Sequence, residues 1–88
     1  MVMSIAAVCI MPDRPHLRIY SSDGVNITEK CWSDGWVDGV FKAPGQSVSA
    51  TTWFDGSVHV RVYAVNAGVT TEWCWDADGP WYKGAYPG

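Results

Sequence analysis

The chain is written twice. Shifted by 43 positions, Ser4, Ala7, His16, Arg18, Tyr20, Thr28, Glu29, Cys31 and Trp32 fall on Ser47, Ala50, His59, Arg61, Tyr63, Thr71, Glu72, Cys74 and Trp75. Nine of the 29 ungapped pairs from Ser4 to Trp32 are therefore identical. Ile5 on Val48, Leu17 on Val60 and Ile19 on Val62 are conservative pairs. Beyond Trp32 the second copy carries two extra residues, after which Trp36, Gly39 and Phe41 meet Trp81, Gly84 and Tyr86 at an offset of 45. A unit of this length is one supersecondary element that cannot bury its apolar faces alone, so the fold must stack units.

Each copy reads as four short strands. The first has about Ser4–Cys9, His16–Tyr20, Asn26–Trp32 and Trp36–Phe41; the second has about Ser47–Trp53, His59–Ala64, Val69–Trp75 and Trp81–Tyr86. β-Branched and aromatic residues fill the strands. Turn-formers such as Asp23-Gly24, Asp34-Gly35, Pro44-Gly45, Asp55-Gly56 and Asp78-Gly79-Pro80 separate them. Helical periodicity is missing, so the expected class is all-β: one domain of two tandem blades, about 4–41 and 47–86. A four-stranded repeat of this size matches a propeller blade, and propellers close with about 4–8 blades. Two blades cannot close a ring. Two, three or four chains would supply four, six or eight; a single eight-stranded barrel or sandwich is the alternative.

Composition narrows the partners. The net charge is −3 with no basic patch, which argues against nucleic acid. No apolar run approaches the roughly 18 residues of a membrane span, so membrane insertion is not expected. The apolar start "MVMSIAAVCI" lacks a basic leading region and is read as a strand rather than a signal peptide. Three cysteines without a Cys-x-x-Cys pair are read as buried free thiols, and no metal or cofactor is expected. Six tryptophans in 88 residues are more than a core this small needs, which points to rings serving a surface.

Alternation along the strands sorts these groups. Arg18 lies opposite Leu17 and Ile19, and Glu29 lies opposite Trp32; Arg61 and Glu72 stand in the same relation to their neighbours. Arginine and glutamate thus share one face of each unit and tryptophan takes the other. In a ring of stacked units, Arg18 and Glu29 would meet Trp75 and Trp81. Arg61 and Glu72 would need Trp32 and Trp36 from another chain. An aromatic face, a charged donor and a charged acceptor suit a neutral molecule with one apolar side and several hydroxyls, as in a monosaccharide. Other roles compete: an isolated surface Arg–Glu pair is usually a solvated ion pair. Trp53 and Trp73 are expected in the core, and Trp36 and Trp81 at a rim. His16 and His59 are read as structural, with no acidic partner at ligand spacing, and Asp34, Asp76 and Asp78 as turn residues.

The segments "LRIY…ITEKCWSDGWVDGVF" and "VRVYA…TTEWCWDADGPWYKGAY" together resemble the two blades of a short fucose-binding lectin, a small bacterial-type relative of the Aleuria-type fucose-specific lectins. The similarity runs from about Ser4 to Tyr86. It implies a homotrimer forming a six-bladed β-propeller that binds L-fucose and fucosylated glycans without catalysis, at two sites per chain. The first site, within one chain, would use Arg18, Glu29 and the backbone N–H of Val40, with Trp75 stacked on the sugar and Trp81 at its border. The second, between chains, would use Arg61, Glu72 and the backbone of Ala85 with Trp32 and Trp36 of a neighbour. Leu17, Val58 and Val60 would line a nook for the sugar's methyl group. The chain departs from the family pattern in lacking a tryptophan near Ile10 or Met11 and in carrying Val40 where a smaller residue is usual.

Two other functions are consistent with the tryptophans. A glycosidase would need two carboxylates about 5–9.5 Å apart, whereas Glu29 and Glu72 occupy equivalent places in different copies. A module reading proline-rich peptides would use tryptophan pairs but would not need the repeated Arg/Glu pair.

Overall fold

A computed structural model describes residues 2–11, 13–77 and 79–88. It is all-β: β1 Ser4–Ile10, β2 His16–Ser22, β3 Asn26–Trp32, β4 Trp36–Pro44, β5 Ser47–Phe54, β6 Val58–Asn66, β7 Val69–Asp76 and β8 Tyr82–Lys83. The strands form two antiparallel sheets in simple meander order, β1-β2-β3-β4 and β5-β6-β7-β8. Each copy of the repeat is one sheet. No helix among the described residues is long and apolar enough to cross a membrane.

Alternation builds the core. On the inner face of the first sheet, Val8, Ile10, Tyr20, Ile27, Phe41 and Ala43 are buried; Val48, Val60, Val62 and Ala64 answer from the second. Tyr20, Ile27, Val60 and Val62 lose all contact with solvent, and each buried aliphatic side chain contributes about 1.5–3 kcal/mol. The sheets meet most closely where β1 faces β5, joined there by the Val48 N–H donating to Ser4 Oγ at 3.1 Å. Between the copies, Ser22 Oγ donates to the Gly45 carbonyl at 2.6 Å. Gln46 donates to the Gly24 carbonyl and to Asn66, and accepts from the Ala67 N–H, bracing one turn of each sheet.

The opposite faces of both sheets are open. Ile5, Trp36 and Val40 are exposed on the first, and Trp53, Tyr82 and Tyr86 on the second. This corrects the expectation for Trp53, which is 42% exposed: it sits opposite His59 on the outer face and stacks on that imidazole at 4.9 Å. Trp73 does pack against the core, and so does Trp81, which was expected at a rim. Of the three thiols only Cys74 is buried; Cys31 is half-buried and Cys9 is exposed.

Seven strands reach or outrun their expected bounds, but the eighth shrinks from Trp81–Tyr86 to two residues. Beyond it the Glu72 backbone carbonyl accepts the Gly84 N–H at 2.8 Å, and the Glu72 carboxylate accepts the Tyr86 N–H at 3.2 Å. The turn position Asp78 lies outside the described residues.

Candidate functional site

Arg18 on β2 and Glu29 on β3 share the inner face of the first sheet, Arg18 opposite Cys31 and Glu29 opposite Tyr20. The Arg18 guanidinium donates to Glu29 Oε2 at 3.1 Å, and the Tyr20 hydroxyl donates to the same oxygen at 2.7 Å. Glu29 Oε1 faces the Phe41 N–H at 3.5 Å. The carboxylate is buried at 2% exposure, a position tolerable only because it is paired and hydrogen-bonded. Burial works against the Arg18 charge, but Glu29 outweighs it and raises the guanidinium's pKa. Burial, then Glu29, pushes the Tyr20 hydroxyl up.

Across the gap, Trp75 on β7 of the second sheet presents its ring to Arg18, with the guanidinium carbon 4.8 Å from the ring centroid. Ile10, His16, Arg18, Val58 and Trp75 line an open cleft of about 200 Å³. That is below the roughly 300–1,000 Å³ of pockets for drug-sized ligands and fits one small ring. Trp81 stands deeper, against Phe41 at 4.6 Å and Tyr20 at 6.1 Å. Its indole Nε1 is buried without a hydrogen-bond partner among the described residues. Of the expected meetings across the two sheets, Arg18 does lie over Trp75, while Trp81 packs on Tyr20 and Phe41. Val58 lines the cleft, Val60 lies buried, and Leu17 turns to the other face beside Trp32. Val40 lines a separate hollow with Gly39 and Glu29, its side chain turned to solvent.

The second copy differs. Arg61 and Glu72 share the outer face of the second sheet, but among the described residues Arg61 makes no hydrogen bond to Glu72. Its Nη1 donates instead to Asp76 at 2.8 Å and to the Val60 carbonyl at 3.0 Å, and the guanidinium lies 4.9 Å over the Trp53 ring. Glu72 accepts from the Tyr63 hydroxyl at 2.8 Å and from the Tyr86 N–H. Ala85 is exposed beside them. Trp32 and Trp36 are cross-strand partners on the outer face of the first sheet, on the far side of the chain from Arg61.

The histidines do have acidic partners, contrary to expectation. His16 Nε2 lies 3.2 Å from Asp13, and His59 is held between Asp55 at 2.9 Å and Asp76. Asp76 ends strand β7 rather than serving a turn, and it collects Tyr82, Arg61 and His59. These three, in that order, hold its carboxyl far below the usual range. Asp76, followed by Asp55, raises His59 above its ordinary value of 6.5. A raised histidine stabilises the fold fully below pH 6.5 and loses that contribution as pH climbs through its folded pKa. A depressed carboxyl stabilises the fold above its ordinary value of 3.8 and loses that contribution as pH falls through its folded pKa. The melting temperature should therefore fall on the alkaline side of pH 6.5, and His59→Gln should flatten that decline; parallel curves for the two proteins would remove His59 from the account.

Gly39 and Gly84 play the same part in the two copies. A Cβ at Gly39 would lie 1.9 Å from Glu29 Oε1, and one at Gly84 would lie 2.0 Å from Glu72 Oε1. The absent side chain makes room for the glutamate. Gly39→Ala must push Glu29 off Arg18 and Tyr20, with an expected cost of about 1–3 kcal/mol in urea unfolding.

No protein-family model matches this chain, and no match to it is found among curated proteins.

Proposed function

We propose that the chain is a non-catalytic carbohydrate-binding protein, and that its ligand class is the 6-deoxy sugar ring of α-L-fucosides. The observation that carries this is Arg18: one side chain from the first sheet donates to a buried Glu29 while lying over Trp75 of the second, at the mouth of a cleft sized for one ring. Trp75 offers an aromatic face to the C–H side of a sugar. Arg18 and Glu29 offer a charged donor and a charged acceptor to its hydroxyls, and Ile10 and Val58 give the methyl group apolar surroundings.

The resemblance to short fucose lectins extends this to an assembly. In it, three chains build a six-bladed propeller in which the Trp32/Trp36 face of one chain covers the Arg61/Glu72 face of the next and completes a second site there. The apolar residues left open on both outer faces support such stacking. Six linked sites would raise avidity about 10²–10⁴-fold over one. Binding rather than hydrolysis accords with the first site, where Glu29 is the one carboxylate bonded to Arg18 among the described residues, whereas glycosidases use a pair.

Titration with methyl α-L-fucoside beside a mass measurement in solution tests both parts. The expected outcome is a trimer taking about two ligands per chain, with no product released from an aryl fucoside. A stable monomer that takes up no fucoside would end this reading.

A further inference from the structure

The two copies of the repeat treat their arginines differently, and the difference resides in a group of residues. Arg61 has Trp53, Asp76 and Tyr82 about it, with Asp55 one step further out on His59; in the sequence alignment of the two copies these positions are Ile10, Ser33, Val37 and Pro12. All four exchanges fall on Arg61 or on the groups that hold its acceptor Asp76. Each adds either a partner for Arg61 or a partner for what holds it: Trp53 stacks on it, Asp76 accepts from it, Tyr82 donates to Asp76, and Asp55 secures His59, which also donates to Asp76. Its glutamate has kept the other contacts of the first copy. Tyr63 bonds Glu72 as Tyr20 bonds Glu29, and the Tyr86 N–H meets Glu72 as the Phe41 N–H meets Glu29. Only the arginine has been drawn away.

We infer that Asp76 is a specificity-determining residue of the second site: it captures Arg61 from Glu72, so that the second site is a weaker and differently tuned sugar site than the first. This rests on the carbohydrate-binding reading above. In the first cleft, the arginine and glutamate are joined and act on a ligand as one donor–acceptor pair. In the second, Glu72 stands without its arginine, and Arg61 is pinned flat between Trp53 and Asp76. A ligand hydroxyl needing both groups must pull Arg61 off Asp76 first. Losing one charge-assisted bond of this kind weakens binding about tenfold.

The neighbourhood also sets charge preference. Three carboxylates, Glu72, Asp76 and Asp55, face Arg61 and His59 on this outer surface, whereas His16 and Arg18 line the first cleft, where Glu29 is buried behind Arg18. An acidic substituent on the sugar is tolerated better by the first cleft than by the second.

The experiment compares the full-length protein with Asp76→Ser, which installs the residue found at the equivalent place in the first copy, and with Asp76→Asn, which keeps the shape and removes the charge should the serine variant fold poorly. Two readouts are taken. Without ligand, the arginine side-chain Nε–Hε NMR signal of Arg61 is followed; it should move in either variant as the guanidinium leaves Asp76. With methyl α-L-fucoside, the unaltered protein should show two classes of site about tenfold apart, and the variants should bring them together by strengthening the weaker. An unmoved Arg61 signal, or a weaker class unchanged in strength, overturns the inference. If no fucoside binds to any of the three proteins, the carbohydrate reading fails; the NMR signal then decides by itself whether Asp76 holds Arg61.

Discussion

Glu29→Ala should cost about 3–5 kcal/mol of folding stability, the range for removing one partner of a buried ion pair. Glu29 is 2% exposed and is the common acceptor for Arg18, Tyr20 and the Phe41 backbone. Alanine leaves a buried hydroxyl and a half-buried guanidinium facing a void made larger by Gly39. A small domain has about 5–15 kcal/mol in total, so the variant should sit at the edge of unfolding, with a urea midpoint far below that of the parent. Glu29→Gln fills the same volume and still accepts one hydrogen bond, so it should lose clearly less. Equal losses in the two variants would mean that the charge at Glu29 contributes little and that packing dominates. The equivalent Glu72→Ala should cost much less, because Glu72 is half-exposed and has no arginine to strand.

Arg18→Ala should remove one of the two proposed sites per chain. The Arg18 side chain is 22% exposed, contacts Glu29 on one side and Trp75 on the other, and lines the cleft. Its loss takes away the charged donor and one wall together, so a fall in affinity of about 10–100-fold at that site is expected. In a titration this appears as loss of the tighter class of site, with the weaker class unchanged. Arg18→Lys keeps the charge but not the planar fork and should recover only part of the affinity. A tighter class that persists in Arg18→Ala would show that the cleft beside Trp75 is not a sugar site.

The fold was largely legible because its signals are local and repeated. The offset of 43 marks two equivalent units, and strict alternation in β2, β3, β6 and β7 decides which side chains share a face. That sufficed to bring Arg18 from one sheet to Trp75 of the other. Alternation says nothing of which acid an arginine reaches once it is on a face. Arg61 has Glu72 and Asp76 on the same side of the same strand, and the choice falls to the rotamer that stacks on Trp53. Tyr20 and Tyr63 were visible as a repeated pair, but their hydroxyls could be assigned to Glu29 and Glu72 only through register. Trp53 looked like core because large rings usually are, yet alternation from inward-facing Val48 and Ala50 puts it on the outer face, where it stacks on His59.

One further consequence follows from the unlike outer faces. The first sheet offers Trp32, Trp36 and aliphatic side chains, while the second offers acids, Arg61, tyrosines and Trp53. In the assembly proposed above, copies would add head to tail, and such addition ends in a closed particle or runs on as a fibre according to a single angle. In it that angle would be the wedge between the sheets, where β1 faces β5 and Ser4 and Ala6 stand against Val48 and Ala50. Those small interior residues would then be the gauge for how many chains complete a circle.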